Sequence, residues 1–120
     1  MRAHHLAALA AVATLGVAGC GQKTESDKVR DVAVTVLTEM KAGHIGKACA
    51  LTTDPEACIH TSDGEIQKRR AEMLSVDAYR NAKVEFKTIG GDRLARLDVK
   101  GTDRVFFTFI DGKWRQEPTD

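Results

Sequence analysis

A surplus of charge of either sign is missing from this 120-residue chain, in which 18 Lys and Arg face 17 Asp and Glu. That balance gives no charge-based case for a nucleic-acid partner or for an anionic lipid surface. The only basic run, Lys68-Arg69-Arg70, has Glu65 and Glu72 at helical spacings that allow pairing on a solvated face. Catalytic motifs are missing too: there is no G-x-S-x-G, no phosphate-cradling glycine-rich loop and no metalloprotease helix motif. Gly90-Gly91 is a turn device without the strand-to-helix context of a nucleotide site. No internal repeat appears, and no low-complexity segment follows the first twenty residues. Long apolar runs are absent as well. The longest, Leu6 to Val17, would make a helix of only about 18 Å against a hydrocarbon core of about 30 Å, which disfavours a permanent span.

What is present at the N-terminus has the three-part layout of an export signal: Arg2, the uncharged stretch Leu6 to Val17, and the small pair Ala18-Gly19. At Val17-Ala18-Gly19-Cys20 the chain resembles bacterial lipoproteins processed by the lipoprotein signal peptidase, with Val17 where leucine is commoner. The resemblance implies that residues 1–19 are removed and that Cys20 becomes the first mature residue, carrying diacylglycerol on sulfur and a further acyl chain on its amine. Two or more acyl chains, at about 0.8 kcal/mol per buried methylene, anchor stably to a bilayer. The competing reading is ordinary secretion, with cleavage near Ala13 or Gly19. Removal of the signal leaves 101 residues carrying 17 charges of each sign, enough for one domain with a modest core. The expected organisation is a signal over 1–19, a lipidated cysteine and polar tether over 20–27, and a single domain over 28–120.

Within that domain Thr24 or Ser26 can cap a helix in which Val29, Val32, Ala33, Val36, Leu37 and Met40 recur at helical spacing until Gly43. Lys47 to Leu51 offers a second helical stretch, Asp54-Pro55 opens another, and Glu65 to Leu74 a further one. From about Tyr79 the period changes to alternation. Ala82, Val84 and Phe86 share one face, then Ala95, Leu97 and Val99, then Val105, Phe107 and Phe109. Asp111-Gly112 is a type I′ hairpin signal that pairs Ile110 with Lys113 and Phe109 with Trp114. Trp114 then joins the inward face, while Phe106 and Ile110 fall opposite, where they mark a docking patch or lie under further helices. The fold class is α+β, with N-terminal helices packed on a curved antiparallel meander of about four strands.

The first helix, the Lys41-Ala42-Gly43 helix end followed by Lys47-Ala48-Cys49-Ala50-Leu51, and the terminal Asp111-Gly112-Lys113-Trp114 together resemble small bacterial lipoproteins of the nuclear transport factor 2-like, cone-shaped superfamily. That resemblance, over about Lys28 to Glu117, implies a sheet curled around a helix with a cavity possible at its open end, and it leaves function open.

Cys49 and Cys58 flank the Asp54-Pro55 turn, and in an exported protein a disulfide is the first expectation. The alternative is a metal set of His44, Cys49, Cys58 and His60, suited to zinc or copper, although no short Cys-x-x-Cys or His-x-x-x-His clip pre-positions ligand pairs. Phe86, Phe107, Phe109 and Trp114 line an apolar pocket or fill the core, and core filling is favoured in so small a domain. The inward positions offer no general base, so an enzyme of this fold would depend on Tyr79 or a histidine, with Arg70 a further side chain near the cavity. The reading that results is a lipid-anchored, extracytoplasmic cell-membrane protein without catalytic residues or a cofactor. It would bind the bilayer through its acyl anchor and an envelope protein or small apolar ligand through its domain.

Overall fold

The structure, a computed structural model, describes residues 23–100 and 104–118; the segment 1–19 expected as a signal, and Cys20, lie outside the described residues. Helix α1 spans Glu25–Lys41. Thr24 starts it with a capping box: its hydroxyl accepts from the Asp27 backbone N–H at 3.1 Å, and the Asp27 carboxylate accepts from the Thr24 N–H at 3.4 Å. Two of the amides that a helix start leaves without partners are thereby satisfied. The helix thus begins inside the stretch 20–27 expected as tether, because the cap lies at Thr24. Val29, Ala33, Val36 and Leu37 form its buried stripe, and Gly43, at φ 82°, lets the chain leave it.

Four short helices follow: α2 (Ile45–Cys49), α3 (Pro55–Thr61), α4 (Gly64–Glu72) and α5 (Val76–Arg80). Side chains start three of them, as Asp54, Asp63 and Ser75 accept hydrogen bonds from first-turn amides. Helix α5 stands where alternation was expected to begin. At five residues it is too short to show a period, and its signal is the Ser75 cap followed by the buried Tyr79.

The strands are β1 (Lys83–Ile89), β2 (Asp92–Asp98), β3 (Arg104–Ile110) and β4 (Lys113–Gln116), an antiparallel meander in the order β1-β2-β3-β4. Asp111 and Gly112 both take positive φ, 51° and 80°, and the register pairs Phe109 with Trp114 and Ile110 with Lys113 as the hairpin signal requires. Helix α1 lies across the face carrying Ala95, Leu97, Val105, Phe107 and Trp114, all at most 5% exposed. Phe106 points to the other face and is half exposed.

The sheet is curved but not closed. Phe86 and Trp114 belong to the two outermost strands, nominally about 14 Å apart in a flat sheet, yet their ring centroids lie 5.6 Å apart. Curling and long side chains reaching over the small Ala95, which pairs with Phe86, bring them together. The outer edge of β4 is covered. A parallel bridge joins Thr52 to Gln116, the Gln116 N–H donates to the Leu51 carbonyl at 2.9 Å, and Arg115 Nη1 donates to the Ala50 carbonyl at 3.0 Å. Covering removes the unpaired backbone groups that would otherwise invite another strand.

Candidate functional site

The strands and α1 give the domain two distinct ends. At one, the C-terminal turn of α1 meets the end of β4, and between them and the shorter helices lies a groove of about 390 Å³. Met40 of α1, Cys58 of α3 and Ile66 of α4 supply its apolar lining, while Thr52, Arg70 and Gln116 supply polar groups. The disulfide holds its wall. Cys49 and Cys58 are bonded with Cα atoms 5.5 Å apart, tying α2 to α3, as the sequence led one to expect. Closing a loop of about ten residues stabilises the fold by about 2.5 kcal/mol on chain-entropy grounds.

Two groups in the groove are unspent. Gln116 Oε1 is buried without a hydrogen-bond partner among the described residues, although its own backbone is fully engaged with the Leu51–Thr53 segment. Arg70 has no ion pair among the described residues, nor do Lys68 and Arg69, so the pairing with Glu65 and Glu72 that the spacing allowed is not made. A buried acceptor without a donor costs free energy until something supplies one. The neighbouring Asp63 is already committed to capping α4. A cation, an open acceptor and an apolar floor suit an extended segment that offers a backbone N–H, an acidic group and an apolar side chain.

At the other end the two hairpin turns lie beside the start of α1. Arg93 stacks over Phe109, 4.3 Å from its centroid, and over Trp114 at 5.4 Å. Phe109 and Trp114 meet edge to face at 5.1 Å. Glu25 closes the cluster, its Oε1 accepting from Arg93 Nη2 at 2.9 Å and from Trp114 Nε1 at 3.3 Å. Hydrogen bonding from Lys28, then from Trp114 and Arg93, holds the Glu25 carboxyl below the usual carboxylate range.

The other candidate residues are dispersed. Phe107 and Trp114 are buried in the core and Phe109 packs against it. Phe86 is 46% exposed, because the inner face of edge strand β1 is left uncovered near its turn. None of the four lines the groove. Tyr79 belongs to the core cluster. His44 is exposed and pairs with Glu39 at 3.2 Å, and His60 is exposed on α3. The metal set is not assembled: both of its sulfurs are in the disulfide, and among the described residues no three His, Cys, Asp or Glu gather to hold an ion. A second concavity, beside Arg30, Asp31 and Arg80, is larger but shallow, and its main charges are already paired, Lys23 with Asp31 and Arg30 with Asp27.

No local sequence pattern marks the groove, since its lining comes from segments between Met40 and Pro118. Comparison with family models, curated proteins and solved structures finds no match to this chain.

Proposed function

We propose that this chain is a lipid-anchored binding module of a bacterial cell envelope, held by acyl chains on Cys20 and capturing a partner segment in the groove at the far end of its domain. The anchor reading is supported by the Leu6 to Cys20 pattern, and the binding-module reading by the resemblance to nuclear transport factor 2-like lipoproteins. The observation that carries the binding reading is the pair of unspent groups, Arg70 and Gln116 Oε1, over an apolar floor. The ligand it fits is a protein segment with an acidic residue beside an apolar one. No histidine lines this groove, its one cysteine is bonded, and its carboxylates are engaged, Asp63 by the amides of Glu65 and Ile66 and Glu117 by the Thr108 hydroxyl, so binding rather than turnover is the chemistry these side chains support.

Two experiments divide the proposal. Cys20→Ala should abolish acyl labelling and release the protein from membranes; unchanged retention would remove the anchor. A photo-cross-linker at Gln67, on the groove, should trap a discrete envelope protein, and Arg70→Glu should reduce that adduct at least tenfold. An adduct indifferent to Arg70→Glu would remove the groove reading while leaving the anchor intact.

A further inference from the structure

The end of the domain opposite the groove has a composition of its own. Register places Ile89 opposite Asp92, Leu94 opposite Thr108 and Ile110 opposite Lys113, so the Gly90-Gly91 and Asp111-Gly112 turns project side by side. The contacts of Glu25 with Arg93 and Trp114 fix the start of α1 at this same end. Ile89 at the turn and Phe86 three residues earlier, about 10 Å back along β1 and on the opposite face of the strand, are large apolar side chains 52% and 46% exposed.

Chain length decides what this end can meet. Cys20 precedes Glu25 by five residues, a reach of at most about 18 Å. Met40, on the groove, lies fifteen residues further along α1, about 22 Å from Glu25. A lipid on Cys20 therefore keeps the start of α1 and the turns beside it within about 18 Å of the bilayer, whereas the groove can stand as far as about 40 Å from it.

We propose that the turn-bearing end rests on the bilayer that holds the Cys20 lipid, with Ile89 leading into the interfacial layer and Phe86 at headgroup level. This inference rests on the anchor reading above. Two apolar side chains bind a membrane weakly by themselves, but the tether makes their contact intramolecular and raises its effective concentration. The cations near the turns, Lys87, Arg93 and Lys113, are offset by Asp92 and Asp111, and Arg93 is already paired with Glu25. The contact is accordingly apolar, insensitive to salt and indifferent to anionic lipid.

The test uses the full lipidated protein in phosphatidylcholine vesicles. With Cys20 acylated and Cys49 bonded to Cys58, Ile89→Cys and Gln67→Cys each give a single thiol for an environment-sensitive fluorophore. The Ile89 probe should shift to the blue and be quenched at least threefold by nitroxide-bearing lipids, equally at 50 and 500 mM salt, while the Gln67 probe stays unchanged. A probe at Lys87→Cys should show the same quenching and lose it on Phe86→Ser with Ile89→Ser, although the protein still floats with the vesicles. Failure to float overturns the anchor, and this contact with it. Flotation with an unquenched Ile89 probe, or equal quenching at Ile89 and Gln67, overturns the contact alone. Shielding at Ile89 on native membranes but not on vesicles assigns this end to a protein and overturns the lipid contact.

Discussion

The two ends of this domain are held by different physics. The groove end is made of short helices that could not stand alone, and a covalent bond from Cys49 to Cys58 together with the Thr52–Gln116 bridge fixes them to the sheet. The turn end has no covalent tie among the described residues; its order comes from the capped start of α1 and from Glu25 binding Arg93 and Trp114. The contrast matches the proposed tasks. A groove that keeps a buried acceptor unpaired needs rigid walls, since mobile ones would relax to satisfy it. A surface resting on lipid needs only exposed apolar groups on a defined edge.

Substitutions and conditions that strike one end, both or neither sharpen this contrast. Phe107→Ala should break both, because Phe107 is 1% exposed in the core they share. The expected loss is about 3–5 kcal/mol, read by urea denaturation with Trp114 fluorescence. Cys49→Ala with Cys58→Ala should strike the groove end, costing about 2.5 kcal/mol. Amide exchange should accelerate across α2 and α3 while Trp114 emission in the native state holds its position. Thr24→Ala should strike the turn end at about 1 kcal/mol, with faster exchange confined to the first turn of α1.

The smallest effect is a pH dependence at that same turn end. The Glu25 carboxyl is held below its ordinary value by Lys28, then by Trp114 and Arg93. Its contribution is therefore complete above the unfolded carboxylate pKa of about 4 and disappears as the pH falls through the lower folded value. Trp114 emission should shift between pH 7 and pH 3 in the native protein, and Glu25→Gln should flatten that shift. A shift that persists in the variant would remove Glu25 as its source.

Local chemistry made some of this architecture readable and left the rest invisible. Asp111-Gly112 set a register that the strands obey, because a type I′ turn admits few alternatives. The apolar period of α1 was equally plain, and the cysteine pair followed from its place about the Asp54-Pro55 turn and from the expectation of export. Helix α5 escaped because five residues complete little more than one turn. Phe86 reads as inward by alternation and does lie on the inner face, but alternation cannot show that the helix layer stops short of it. The basic run on α4 shows a further limit, for helical spacing permits its pairs with Glu65 and Glu72 without forming them. Least legible was the groove, whose residues become neighbours only through the disulfide and the Thr52–Gln116 bridge.

The central claim is that one end faces lipid and the other a protein partner. Photo-cross-linking in intact cells, with the same probe placed at Ile89 or at Gln67, tests it in a single comparison. The account predicts a discrete protein adduct from Gln67 and only lipid-sized adducts from Ile89. Protein adducts from Ile89 with none from Gln67 would contradict it.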